Sequence, residues 1–210
     1  MTNTEYFIKA FLAFFVIIGP IDLMVIFAAL TRRKTVEEQV NIAVRSNLIA
    51  FAILLFFTIF GASLLSSVGI SIAALKASGG FLLMVVAYKM IFDTDGHGSD
   101  YGEEEAKEAK EATDVTVFPL ATPLLAGAGS MSATILFAAE AGDDISKQVL
   151  LIFSFGSVLL SAGILFVMAS RMQKILGATL VNVITRVMGI LLAALSLQFM
   201  LDGLHDAGVF

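Results

Sequence analysis

Three stretches of this chain are free of charge over bilayer-crossing lengths: those between Arg45 and Lys76, between Asp114 and Glu140, and between Lys147 and Arg171. A helix needs roughly 20 mainly apolar residues to cross a hydrocarbon core. Hydrophobic residues make up 58% of the chain and mean hydropathy is +0.92, whereas soluble domains run at about 45 to 50% apolar. A water-soluble core of 210 residues could not bury that much. The pattern predicts an all-α integral membrane protein with six spans, near residues 6 to 31, 42 to 65, 70 to 92, 115 to 139, 148 to 170 and 183 to 204. The third and sixth are less uniformly apolar, because Lys76, Lys89 and Arg186 lie inside them or at their edges.

The first apolar run is too long for a secretory leader and is not closed by a small-x-small cleavage pattern, so it reads as a retained span. There is no cysteine, which removes disulfides, thiolate metal sites and thiol catalysis. Basic loops tend to stay cytoplasmic. The connections after spans one, three and five hold Arg32, Arg33, Lys34, Arg45, Lys89, Lys107, Lys110, Arg171, Lys174 and Arg186, against Lys9, Lys76 and Lys147 on the other side. That asymmetry predicts that both termini lie outside. The net charge of −5 does not oppose it, since acids weigh little in the rule and many sit in one hydrophilic connector. A negative balance also argues against nucleic acid as a partner.

That connector, residues 93 to 114, is turn-rich at first and then helix-favouring, with Glu103 and Lys107 at the i, i+4 spacing. It reads as a solvated cytoplasmic linker. Asp93, Asp95, His97 and Asp100 lack the glycine placement and closing glutamate of a calcium loop, and no metal or cofactor is expected.

The segments on either side of the connector echo each other at an offset of 110 residues. Ile26-Phe27-Ala28-Ala29 returns as Leu136-Phe137-Ala138-Ala139, and Lys76, Gly79, Leu82 and Met90 fall on Arg186, Gly189, Leu192 and Met200. Three spans per half would force two homologous halves into opposite orientations, the inverted repeat that recurs in secondary transporters. The expected division is residues 1–92 and 115–210 as two three-helix repeats, with 93–114 between them.

Polar interruptions inside the spans mark where chemistry would lie. In the first, Gly19-Pro20-Ile21-Asp22 breaks an apolar run near its middle. Proline removes a donor and frees carbonyls of the preceding turn, which is tolerable at membrane depth only against protein or a water-filled cavity. Asp22 is the one acid well inside a span, a functional candidate by default. The fourth span has the matching interruption from Phe118 to Ser132, with Pro119, Thr122, Pro123, Gly127, Gly129 and Ser130. Such a pair of interrupted spans points to a midplane substrate site, although proline kinks and small residues also serve helix packing. Asn47 in the second span and Ser154, Ser157 and Ser161 in the fifth are expected to bond across helices, with packing the reading for the serines. Gly79, Gly80 and Gly189 are expected at close helix contacts. Lys76 and Arg186 read as anchors whose long stems carry the charge to the membrane faces. His97 and His205 fall outside the expected spans.

These residues resemble the MarC family of bacterial and archaeal inner-membrane proteins, which includes small neutral amino-acid transporters of the SnatA type. The resemblance rests on Gly69-Ile70-Ser71-Ile72-Ala73-Ala74-Leu75-Lys76-Ala77-Ser78-Gly79-Gly80, on Phe118 through Gly129, on Thr185-Arg186-Val187-Met188-Gly189-Ile190, and on Leu201-Asp202-Gly203-Leu204. It covers nearly the whole chain outside the connector. Two departures stand out. The family usually has an aspartate just before the first-span proline, followed by Ile-Gly-Asn, where this chain has Gly19 and places Asp22 at the glycine position; and it commonly has Gly-Pro-Gly where Gly127-Ala128-Gly129 stands here.

The resemblance implies transport of glycine, alanine and similar amino acids, with proton coupling an open option. On this reading Gly19, Pro20, Asp22, Asn47, Thr122, Pro123, Gly127, Gly129 and Ser130 line the substrate site, and Asp22 is the ammonium or coupling-ion partner. The expected partners are a small amino acid and the lipid bilayer, with homo-oligomerisation left open. Export of another small solute or drug, or a regulatory membrane protein, are the alternatives. An intramembrane enzyme is not expected, because there is no cysteine, no histidine in a span and no second acid to pair with Asp22.

Overall fold

A computed structural model describes residues 2–31, 34–92 and 115–209, without the side chains of residues 170–179, 181 and 182. Among the described residues every regular element is helical: α1 (Asn3–Ile18), α2 (Pro20–Leu30), α3 (Val36–Ser67), α4 (Ile72–Phe92), a wide-wound proline segment (Thr116–Leu125), α5 (Ala128–Ala141) and α6 (Ile145–Asp206). The expected pairing of Glu103 with Lys107 and the acidic cluster around His97 lie outside the described residues.

The helix starts show where water ends. Thr2 caps α1 and Thr35 caps α3, each in a reciprocal box with a glutamate three residues on, and Ser71 takes the Ala74 amide at the start of α4. Asp144 takes the Ser146 and Lys147 amides at the start of α6. The Thr35–Glu38 box explains why the second span starts at Val36, earlier than its apolar run: its first turns carry Glu37, Glu38 and Arg45 beyond the hydrocarbon. By contrast, α2 and α5 begin without a side-chain cap.

Five helices, Asn3–Leu30 taken as one, are long and apolar enough to cross a membrane. The proline segment and α5, bent by 53° at their junction, make a sixth span if taken together. Within α6 the two spans are Ile145–Ala169 and Val183–Asp206. Ring-to-ring steps of 5.8, 6.0 and 6.2 Å link Phe155 to Phe199 through Phe14 and Phe137. A straight helix would hold those two residues about 66 Å apart, so the run folds back on itself. His205, expected outside the spans, falls in the last turn of that final span, which runs two residues past the expected end at 204.

Contacts fix the direction of each span. Phe27 stacks on Phe166 while the Ser154 hydroxyl reaches the Phe7 carbonyl, so the first and fifth spans run parallel. Phe51 lies by Gly156 and Asn47 by Gly163, so α3 runs against the fifth. Gly203 lies by Ala73 and Gly189 by Met90, so α4 runs against the sixth. The two described ends of the chain emerge on one side of the bundle. Near that face Lys9 pairs with Glu140 at 3.2 Å and Lys76 with Asp206 at 2.6 Å. Lys76 therefore does more than anchor: it ties α4 to the end of α6.

Half of the first span's apolar window is buried, against 17% of that of α3, which places the broken span at the centre and α3 outside. Tyr6, Phe14, Met24 and Phe27 are fully buried there, and the Tyr6 hydroxyl donates to the Phe137 carbonyl at 2.7 Å. Leu48, Phe153 and Leu160 are each more than 60% exposed. So much outward apolar surface marks a membrane contact, and the lipid bilayer is what covers it.

Glycines set the closest helix approaches. A methyl group on Gly80 would lie 2.6 Å from the Ser196 carbonyl oxygen and 2.7 Å from Met200 Cγ; one on Gly189 would lie 2.9 Å from Met90 Cβ. The fifth-span serines differ from expectation. Ser157 and Ser161 donate within their own helix, to Phe153 and Val158 carbonyls, and only Ser154 also reaches across, at 3.4 Å. A hydroxyl on a helix always has the carbonyl three or four residues back within reach.

Gly80→Ala should therefore destabilise the purified protein by about 1–3 kcal/mol through overpacking. Gly156→Ala, whose methyl would meet Phe51 at 3.4 Å, should fall within about 0.5 kcal/mol of wild type; thermal unfolding in detergent compares the two.

Candidate functional site

The first span breaks at Gly19. Its φ of 59° is left-handed, its amide still bonds the Phe15 carbonyl, and its carbonyl already accepts from Leu23 in the next helix. Pro20, buried, starts α2 where a missing donor costs nothing. Asp22 follows in the first turn of α2, where the positive end of the helix favours a carboxylate. Gly19 is required twice over: a side chain there would be strained at positive φ, and its Cβ would stand 3.2 Å from Asp22 Oδ2.

The fourth span breaks differently. Phe118-Pro119 and Thr122-Pro123 are cis, and Phe118 and Thr122 have extended backbone inside the segment. The remaining bonds reach five residues back, Leu120 to Val115 and Ala126 to Ala121. Gly127, extended, leads into α5, and a methyl on it would lie 2.4 Å from the Pro123 carbonyl oxygen. Only glycine lets those two backbone stretches meet.

Hydroxyls hold the broken backbone. Thr122 donates to the Val117 carbonyl at 3.3 Å, Ser130 to the Leu125 carbonyl at 3.0 Å, and Thr134 to the Ser130 carbonyl at 2.7 Å. The opening amides of α5 have neither a side-chain cap nor, as in any first turn, a carbonyl one turn back. A backbone donor left unmade in hydrocarbon costs several kcal/mol, so this end of α5 is built either to be shielded or to bind.

The two breaks come together. The methyl position of Gly129, two residues into α5, lies 3.3 Å from Ile17 Cγ2, two residues before Gly19, and 2.8 Å from Leu83 of α4. Ser132, one turn further, faces Gly79 of α4. The end of α1, just before the Gly19 break, thus touches the start of α5, while Asp22 contacts Thr185 and the Gly19 position. Pro123 is exposed, and no described contact joins it to Asp22. Asn47 is elsewhere. It lines an apolar groove of about 500 Å³ between α3 and the fifth span, with Phe51, Gly156, Leu160 and Gly163. Its amide nitrogen donates to the Ala43 carbonyl of its own helix, and its buried Oδ1 has no hydrogen-bond partner among the described residues.

One residue of the site was not singled out from sequence. Thr185, in the sixth span, donates a short hydrogen bond from its hydroxyl to Asp22 Oδ1. The two are 163 positions apart, so no local pattern could join them; the only signal was that Thr185 opens one of the motif stretches.

These features define a multi-pass integral membrane protein whose first and fourth spans are broken. The chain belongs to the MarC family of integral membrane proteins, whose family model matches residues 4–207. It is 34% identical to the UPF0056 membrane protein MJ1677 of Methanocaldococcus jannaschii, over 98% of each chain. It is 30% identical to YvbG of Bacillus subtilis, over 95% of this chain and 94% of that protein, and 31% identical to YhcE of Escherichia coli, over 97% and 93%. No solved structure matches.

Gly19→Ala should cost about 1–2 kcal/mol from left-handed backbone strain, and Gly127→Ala more, because the clash is with backbone that cannot rotate away. Thermal unfolding of the two variants beside wild type checks that order.

Proposed function

We propose that this chain is a secondary transporter of small neutral amino acids of the glycine and alanine type, working in the cytoplasmic membrane with both termini outside. What supports the reading is that the start of α5, uncapped, touches the end of α1 just before the Gly19 break, and that one intramembrane carboxylate, Asp22, stands in the first turn after that break. A zwitterion fits such a place. Its carboxylate is held by the opening amides of α5 at the positive end of that helix, with Gly127 and Gly129 letting the ligand approach backbone. Its ammonium is held by Asp22, which is also the group to carry a coupling proton.

The transport reading takes the two halves as an inverted repeat. Gly80 meets Met200 while Gly189 meets Met90, and Met90 and Met200 are the 110-residue equivalents. Gly80 and Gly189 are 109 positions apart rather than 110, so the two contacts correspond to within one residue. The offset also carries Asp22 onto Ser132, and each of these meets the partner half, at Thr185 and at Gly79. Rocking of one half against the other about α4 and the sixth span would expose the breaks to each side in turn. The role is that of a carrier and not of an enzyme. Export of another small solute would use the same scaffold, and a substrate screen separates the two.

Purified protein should gain thermal stability from glycine or L-alanine and not from lysine or glutamate, because a ligand that prefers the folded state raises the melting point. Asp22→Asn keeps an oxygen that can accept from Thr185 and should fold, yet lose substrate-driven flux in proteoliposomes; undiminished flux would remove Asp22 from the mechanism. Since the chain has no cysteine, single cysteines placed at Thr2 and Lys34 should react with an impermeant maleimide from opposite faces, Thr2 from outside the cell.

A further inference from the structure

We infer that Thr185 is a positioning residue of the transport site: its hydroxyl fixes the carboxylate of Asp22 and so sets the binding strength for the ammonium group of the cargo. The inference rests on the amino-acid reading above and adds a residue from the opposite half of the chain to it.

Asp22 stands in the first turn of a helix that starts only at Pro20, with the left-handed Gly19 behind it. Nothing in that local geometry selects one orientation of its carboxylate, since a short acid at this position rotates among staggered wells. Two contacts bear on it. Oδ1 takes the hydrogen bond from Thr185 Oγ1, and Oδ2 is turned back over the Gly19 backbone.

Thr185 is itself held by its surroundings. One turn after it, Gly189 packs closely on Ala87 and Met90 of α4. The hydroxyl is therefore carried on a helix locked to its neighbour. A β-branched residue adds stiffness, because its side chain has few allowed rotamers on a helix. Serine would keep the donor and lose only the methyl; valine would keep the shape and lose the donor. A hydrogen bond to a charged group is among the stronger contacts a side chain makes, so its loss should be legible in binding.

The test is a set of variants read in two ways. Thermal unfolding of Asp22→Ala, Thr185→Val and the double variant reports the pairing without any substrate. Saturable entry of radiolabelled L-alanine into proteoliposomes, for wild type, Thr185→Val and Thr185→Ser, reports its use. Pairing is supported when the double variant melts no lower than the worse single one; strictly additive shifts overturn it. The positioning role is supported when Thr185→Val raises the alanine KM about tenfold with a smaller change in maximal rate, and Thr185→Ser restores wild-type KM. An unchanged KM in Thr185→Val, with the pairing intact, overturns the role and leaves a packing contact. If wild type takes up no alanine while the melting shifts are non-additive, the amino-acid reading falls, the role falls with it, and the Asp22–Thr185 pair stands alone.

Discussion

A backbone in hydrocarbon has to satisfy its own hydrogen bonds, and the arrangement of this protein follows from the two places where it does not do so by simple helix. Where spans leave water, Thr2, Thr35, Ser71 and Asp144 supply the missing acceptors. Where helices begin inside the bundle, at Pro20 and at Ala128, no side chain does. Both interruptions therefore need protein or a water-filled cavity beside them. The first span is accordingly the most buried, the peripheral α3 the least, and the proline segment fixes its own carbonyls with Thr122 and Ser130. The helix breaks are the reason for the centre of the fold, not an ornament on it.

Charge placement obeys the same economy. Lys9, Glu140, Lys76 and Asp206 pair near one face, where partly exposed ion pairs contribute little, of the order of 0–1 kcal/mol. Asp22 alone is kept at depth beside a break, bonded to a hydroxyl of the opposite half.

Much of this was legible from the chain. Uncharged runs located the spans to within a few residues, and Gly19-Pro20 and the Pro119–Gly129 stretch announced the breaks, since proline and glycine act through local backbone geometry. The glycines expected at helix contacts are there, at Gly80 and Gly189. Other roles were not legible. Asn47 looked like any polar residue in a span, yet it faces a groove between α3 and the fifth span. Ser157 and Ser161 turned to their own carbonyls. Thr122 and Ser130 are donors to broken backbone as well as candidate ligands. In each case the residue type was clear and the partner was a matter of direction around a helix.

The sequence by itself determined what is local or additive: the transfer of long apolar segments into lipid, the starts of helices at capping residues, and the interruption of two of them. Tertiary structure alone decided which interruptions meet, because contact between Gly129 and Ile17, or between Thr185 and Asp22, depends on how helices far apart in the chain rotate and pack. That rotation is set by close fit at small residues such as Gly80 and Gly189, a many-body property of the assembled bundle that no single stretch of residues contains.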